Sequence, residues 1–507
     1  MPDNKRIAKN TLFLYFRMIL IMGVTLYTSR VILDKLGIDD FGLFNIVGSA
    51  VAILSFLNGT LSIGTSRFLT YELGTENSEK LGKTFSTALY THAILSFIVI
   101  LLMETGGLWF IYNKMVIPPE RFTACLWVFQ FSVLTTVVSI LQVPYTATIM
   151  AHERMGIYAY ISIFEAISKL AICYLLCIVA FDRLIIYAVL VFVVQLLVTA
   201  LYGVCCITRF PESRSTLKFD RQILRSLLGF SGWNIMANIS NTLGQQGVLI
   251  LINLFFVPAV AAAQAIAVQV SNTMMQFINN FRTAINPQII KLYASGDYQE
   301  SKKLTLDTTV YSFDLILILG FPAIVIMEPL MRLWLVEVPI YAVAFTQWII
   351  LRQIVGVFSA SLYTPMMAAN KMKINSMAAV FLGVGEFVIL YFFLRMGFGP
   401  MWIQYLGLFV TIGFSMVVKP YVLIKQINYS FKEILMCYFC CLKVLLLSVA
   451  FSVPVLFYES DDIMSSIFEA LYIVLAVAVS SFVFLGKNEK QRLRLFIMSR
   501  CQNLVRK

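Results

Sequence analysis

Charge is what this chain has least of. Only 13% of its 507 residues are Asp, Glu, Lys or Arg, 59% are apolar, and mean hydropathy is +0.83. Soluble domains carry roughly 25% charged residues, so a water-soluble globular protein is excluded. Histidine is nearly missing. His92 and His152 stand alone with no partner at ligand spacing, which leaves no histidine-based metal or triad chemistry to read. A glycine-rich phosphate loop, GxSxG and HExxH are all absent, so direct ATP coupling and the common hydrolase chemistries lack their residues, and no cofactor is expected. The nine cysteines show no paired spacing. Cys173, Cys177, Cys205 and Cys206 lie in apolar runs, and the CxxC of "CYFCC" (437–441) sits inside an apolar segment without a nearby histidine. These thiols read as packing. Long polar loops are lacking too, so there is no room for a large soluble domain.

What is present is a succession of apolar runs long enough to cross a bilayer, which takes roughly 20 residues each. They fall at 10–34, 41–70, 84–111, 119–150, 156–181, 184–208, 228–257, 258–290, 305–335, 340–369, 374–397, 399–425, 433–457 and 461–486. The fold class is therefore an all-α polytopic membrane protein of about fourteen transmembrane helices. Lys5, Arg6 and Lys9 precede the first run, which has no small-residue cleavage site and is read as a retained span. The net charge of +12 could attract nucleic acid. Its distribution argues otherwise: the basic residues are scattered among loops at membrane-helix spacing, as topology determinants are. With a cytoplasmic N-terminus, inner segments carry 26 Lys and Arg and outer loops carry 6. That bias places both termini in the cytoplasm and argues for no nucleic-acid partner.

The sequence also repeats itself. At an offset of 221 residues, "ELGTENSEKLGKTFSTALYT" (72–91) lies over "YASGDYQESKKLTLDTTVYS" (293–312), with Glu79 on Glu300, Thr84 on Thr305, Thr87 on Thr308 and Tyr90 on Tyr311. The offset continues without gaps to Asn58 on Asn279 and Leu33 on Leu254. Two parallel six-helix repeats are expected, at 1–208 and 228–425. A basic cytoplasmic linker (209–227) joins them, helices 13 and 14 (426–486) are extra, and a basic tail (487–507) follows.

The candidate site residues are polar groups inside these spans. In the seventh run, "WNIMANISNTLGQQ" (233–246) puts Asn234, Asn238, Asn241 and Gln245 within an arc of about 60°. The eighth places Gln269, Asn272, Gln276, Asn279 and Asn280 within about 100°. The second carries Ser55, Asn58, Ser62 and Thr65 on one face, and the offset maps Arg17 of the first run onto Asn238. A single amide in a membrane helix is usually interhelical glue. Two stripes of four or five exceed that need, and predict that helices 1, 2, 7 and 8 face a shared wet hollow rather than a dry polar interface.

Ionised groups at such depth cost at least about 2.5 kcal/mol unless paired or wet. Lys169 follows Glu165 by four residues, so a local ion pair is expected. Arg30 lies near Asp34, Asp39 and Asp40, while Arg67 and Arg282 fall near the cytoplasmic ends of their runs and off the amide arcs. These three are secondary candidates. Arg17 is the basic residue expected to face the hollow, where its planar fork suits a phosphate. Asp314 and Glu386 sit near mid-span and are the candidates for ion coupling. No catalytic or metal-ligating set emerges.

Three stretches carry a family likeness: the basic N-terminus, "TSRVILDKLGIDDFGLFNIV" (28–47) and "LSIGTSRFLTYELG" (61–74). The chain resembles bacterial polysaccharide flippases of the O-antigen or capsule type, within the MATE-like multidrug/oligosaccharidyl-lipid/polysaccharide exporter superfamily. The resemblance implies a flippase that moves polyprenyl-pyrophosphate-linked oligosaccharides outward across a bacterial inner (cytoplasmic) membrane by alternating access for surface polysaccharide biosynthesis. It also implies a cationic central cavity, which Arg17 would supply. The implied partners are the lipid-linked oligosaccharide, membrane lipids, polysaccharide polymerase and glycosyltransferases. Two other readings remain open: a multidrug or metabolite cation antiporter on the same fold, and a membrane enzyme acting on lipid-linked sugars. Replacing Arg17 by Ala should abolish surface glycan while folded protein stays in the membrane; normal surface glycan in that strain would remove Arg17 from the site.

Overall fold

The computed structural model describes residues 4–54, 65–66, 68–70, 72–73, 78–152, 154–178, 181–214, 219–225, 242–369, 371–456 and 463–484, with the side chains of 4–17 and of a few further helical positions outside that description. Every regular element among the described residues is helical. In chain order the main helices are α1 (Asn4–Leu36), α2 (Ile38–Ala52), α3 (Ser78–Asn113), α4 (Phe122–Ala151), α5 (Met155–Ile178), α6 (Arg183–Arg209) and α7 (Val248–Phe255). They continue with α8 (Pro258–Ala294), α9 (Tyr298–Val325), α10 (Ala342–Ala368), α11 (Lys373–Arg395), α12 (Trp402–Ile427), α13 (Phe431–Leu456) and α14 (Ile463–Phe484). Among the described residues ten of these are long and apolar enough to cross a membrane: α3 to α6 and α9 to α14. The other four are α1, α2, α7 and α8; the polar stripes of the second and seventh runs, at 55–65 and 234–245, fall beyond the bounds of α2 and α7. Large apolar side chains such as Phe97, Trp109, Phe381 and Phe409 are exposed on the outside, as lipid-facing residues are.

Helix starts fall earlier than the apolar runs predict. The third begins at Ser78 rather than 84 and the ninth at Tyr298 rather than 305. The added turns are polar, so they belong to the helix by hydrogen bonding but not by hydropathy. Capping explains the ninth: the Asp297 carboxylate accepts from Glu300 N at 3.3 Å. Asp182 does the same for α6, accepting from Leu184 N at 3.0 Å. Gly37, at φ 82°, lets α2 start directly after α1, a conformation that L side chains rarely adopt.

The helices pack as two compact units. The first comprises residues 1–265, 335–342 and 379–403; the second comprises 266–334, 343–378 and 404–507. Packing and ancestry are different criteria, so this grouping does not bear on the repeat boundaries at 208 and 228. In the first unit a buried core joins α4, α5 and α6 through Ile149, Ile172, Leu176, Val198 and Tyr202. Arg121, just before α4, bridges two further helices. Its Nε donates to Asp40 Oδ1 of α2 at 2.8 Å, its Nη2 pairs with Asp40 Oδ2, and its Nη1 donates to Asp182 Oδ2 at 2.7 Å. Asn253 of α7 is clamped to the loop after α3: Val116 N donates to Asn253 Oδ1 at 3.1 Å, and Asn253 Nδ2 donates to Val116 O at 2.9 Å. In the second unit the core unites the end of α10 with α12 and α13 through Leu362, Met366, Val422, Leu423 and Ile434.

Gly42 of α2 lies against the first residue of α8, where an added Cβ would stand 2.2 Å from Pro258 O. That clash is with backbone, so neither helix can yield by a rotamer change. Gly42→Ala should destabilise the protein by about 1–3 kcal/mol. Gly48→Ala, with nothing within 4 Å of its Cβ, should be neutral; thermal midpoints of the two purified variants decide.

Candidate functional site

Most hydroxyls in the spans bond to their own helix. Thr91 donates to Thr87 O at 2.7 Å and Thr305 to Ser301 O at 2.8 Å, which satisfies the group without water. Other polar groups join two helices. Gln195 Nε2 and Thr199 Oγ1 of α6 both donate to Gln142 Oε1 of α4, at 2.8 and 3.0 Å, and Gln130 donates to Glu104 at 3.2 Å. These bonds are interhelical glue. What they leave over defines the candidate site.

The eighth helix presents two polar faces. Asn272, Gln276 and Asn279 are exposed along one, with Gln269 and Asn280 partly buried. The other faces α10. There Gln353 Nε2 donates to Ser271 Oγ at 2.8 Å, Arg282 Nη2 donates to Ala360 O, and Thr364 Oγ1 donates to Asn286 Oδ1 at 2.8 Å. By helical geometry the faces are about 100° apart, and Asn279 links them, its Oδ1 accepting from Arg282 Nη1 at 3.4 Å. Arg282 is therefore off the amide arc, as its phase predicts, but it is buried at 9% exposure with Nε unpartnered.

A second cation approaches the same end of α10. Lys419 is 2% exposed, and its Nζ lies 4.9 Å from the Tyr363 ring and 5.1 Å from the Phe414 ring, within electrostatic reach of Arg282. A five-residue π-turn, Phe414–Val418, immediately precedes it in α12. Such turns gather at functional positions. The two rings stabilise the ammonium without neutralising it. Among the described residues no carboxylate pairs with Arg282 or Lys419. Two cationic side chains are thus buried in apolar helices of the second unit with no counter-ion among the described residues, an arrangement that favours an arriving anion.

By sequence Lys419 lies in the twelfth apolar run (399–425) but counts among the 26 inner-segment cations. The structure keeps it within α12, buried, directly after the π-turn. Pro420 falls at the first turn of the resumed helix, where its missing N–H costs least. The apolar "YVLI" beyond it is the one available signal.

The first unit holds a cavity of about 460 Å³ lined by α1, α2, α5 and α6. Its wall includes Thr28, Phe44, Tyr158, Tyr187 and the expected pair of Glu165 and Lys169, at 2.6 Å. Arg30 is exposed, and two of the acids expected near it pair elsewhere, Asp40 with Arg121 and Asp34 with Lys35 at 2.8 Å. Asp314 faces α13 and α14, beside Cys441 and Ser481. Glu386 is 6% exposed and belongs to the other compact unit. Asn58, Arg67, Asn234, Asn238 and Asn241 lie outside the described residues, as do the side chains of Arg17 and Gln245.

A family model described as "Polysaccharide biosynthesis protein" matches residues 36–347. No curated protein sequence matches. Among solved structures, the chain is similar to the lipid II flippase MurJ in an inward closed conformation, with TM-score 0.71 at 13% identity over 94% of this chain and 98% of that one. It is also similar to the MATE multidrug transporter DinF-BH in complex with R6G, with TM-score 0.64 at 14% identity over 84% and 96%. A MOP superfamily transporter from Pyrococcus furiosus gives TM-score 0.58 at 13% identity over 83% and 97%. Identities this low show a shared fold.

A buried cation without a partner is a stability cost, of at least about 2.5 kcal/mol at span depth. Lys419→Met keeps the packing against both rings and removes the charge. The thermal midpoint of the anion-free protein should rise; a fall would mean that the ammonium has a structural partner.

Proposed function

We propose that this chain, which belongs to the polysaccharide biosynthesis protein family, is a flippase carrying a polyprenyl-pyrophosphate-linked oligosaccharide across the inner membrane by alternating access. The observation that carries the reading is the pair Arg282 and Lys419, buried in apolar helices and paired with no carboxylate among the described residues. A pyrophosphate supplies the missing charge and accepts from both cations. Guanidinium gives it a planar fork, and ammonium a point charge. Arg17 adds a third cation along the route. The amides Asn58, Asn234, Asn238, Asn241, Gln245, Gln269, Asn272 and Gln276 hydrogen-bond sugar hydroxyls through many individually weak contacts, which suits a large glycan of variable shape. The polyprenyl tail stays in lipid.

In this proposal the two six-helix repeats are the moving halves, and helices 13 and 14 are accessory. Both termini are cytoplasmic, where glycosyltransferases deliver the substrate; a polymerase receives it outside. Asp314 and Glu386 are the candidates for a coupling ion. Multidrug antiport is the weaker reading: it needs a carboxylate to attract a cationic drug, and Glu165, which lines the first-unit cavity, is held by Lys169.

The test is a proteoliposome assay that follows a fluorescent undecaprenyl-pyrophosphate-linked oligosaccharide from one leaflet to the other. Arg282→Gln and Lys419→Gln should each slow transfer at least about tenfold, the size of one lost charged hydrogen bond. Inorganic pyrophosphate should compete with wild type. Wild-type rates in both variants would overturn the assignment. A change in glycan mass would replace it with an enzymatic one.

A further inference from the structure

A second cavity, of about 400 Å³, lies in the second unit at the ends of α8 and α12 and the start of α9. In the topology proposed above, this end is cytoplasmic. Its volume falls within the roughly 300–1,000 Å³ of small-ligand sites. The lining includes Tyr293, Tyr298, Lys302, Gln426 and Tyr429. Two backbone features build it. Asn428 adopts the left-handed conformation at φ 59° and closes α12, with Tyr429 N donating to Leu423 O at 3.2 Å. That turn sends Tyr429 inward, where it is 3% exposed. Tyr293 and Tyr298 meet edge to face across the turn between α8 and α9, with ring centroids 4.9 Å apart.

Two buried polar atoms on this wall lack a hydrogen bond: Gln426 Oε1 and the Tyr429 hydroxyl, which lies near Thr305 without bonding geometry. Burial pushes the Tyr429 phenol up to about 12, so it is a neutral O–H at physiological pH. Lys302 Nζ donates to Asn428 O at 2.5 Å and stands 5.4 Å from the Tyr429 ring. One of its three N–H groups is thereby used, and among the described residues it pairs with no carboxylate. Neighbouring acids serve backbone N–H groups. Asp297 accepts from Glu300 N, and Glu433 accepts from Ser430 N at 2.9 Å. Lys303, Lys425 and Lys432, each within three residues of a lining residue, are exposed, as are Tyr421, Phe431 and Leu435.

The wall thus offers N–H and O–H donors for an anion and one buried acceptor that needs a hydroxyl. It sits where two apolar spans end, with exposed lysines and exposed apolar side chains nearby in the sequence. We propose that this cavity binds a glycerophosphate group: the phosphate meets Lys302 and Tyr429, and a glycerol hydroxyl donates to Gln426 Oε1. The group can come from an anionic glycerophospholipid of the adjoining leaflet or from a soluble phosphoester. A bilayer draws anionic headgroups to basic side chains at its surface. The proposal is independent of what the protein transports.

Native mass spectrometry of the full chain tests it, with phosphatidylglycerol, phosphatidylcholine, sn-glycerol 3-phosphate and inorganic phosphate as separate probes. Wild type should prefer phosphatidylglycerol over phosphatidylcholine about tenfold. Lys302→Gln and Tyr429→Phe should each remove most of that preference, and Lys303→Gln should leave it intact. Tyr429→Phe keeps the ring, so it reads the hydroxyl even if the lysine variant folds poorly. Binding of glycerol 3-phosphate with the same variant pattern, and without lipid preference, supports the chemistry and identifies a soluble source. Equal binding by wild type, Lys302→Gln and Tyr429→Phe would overturn the proposal. So would equal loss in all three lysine and tyrosine variants, which would reduce the site to general positive charge, or inorganic phosphate binding as well as glycerol 3-phosphate.

Discussion

Hydrocarbon offers no hydrogen bonds, and every polar group in these spans answers to that constraint. Threonines fold back onto the preceding turn. Glutamines meet one another across helix pairs, as Gln195 and Gln142 do. Asn253 forms a reciprocal pair with the backbone of Val116. Among the described residues the buried polar atoms left without a hydrogen bond are spread along the chain, from Ser86 to Ser481, and four groups matter most here. They are Arg282 Nε, the Lys419 ammonium, Gln426 Oε1 and the Tyr429 hydroxyl. The first two lie together behind an exposed amide face, the last two beside a cavity at the helix ends.

Much of the fold was legible because hydropathy is a statement about solvent. Long apolar runs cannot be soluble, and ten of them are helices of spanning length among the described residues. The family was legible from "TSRVILDKLGIDDFGLFNIV" and "LSIGTSRFLTYELG", and its model matches 36–347. Hydropathy was least informative at helix ends. The polar first turn of α9 is held by the Asp297 cap, and that of α3 by helical hydrogen bonding, neither of which an apolar count sees.

The site was legible in part. Helical phase correctly put Arg282 off the amide arc, and charge spacing gave the Glu165 and Lys169 pair. Phase alone could not say that α10 covers Arg282, since that depends on Ala360 O coming within reach from 78 residues away. Lys419 was hidden for a different reason. It counts among the inner-segment cations, and hydropathy of the run 399–425 does not show that the Tyr363 and Phe414 rings cover it. The acids near Arg30 were visible, but their partners were not: Asp40 reaches Arg121 across 81 positions of sequence.

The π-turn before Lys419 has a consequence for how such a site can change over generations. A π-turn is an α-helix with one surplus residue, so everything after it is rotated by about 100° relative to an uninterrupted helix. The direction in which the ammonium points is then set by residue count, not by residue type. Deleting a single codon within 414–418 would restore a regular α-helix and leave Lys419 pointing as it does, whereas the same deletion in the α-helix before the turn would swing Lys419 toward a different neighbour. Substrate preference in such a lineage could shift by insertion and deletion where substitution records would register nothing.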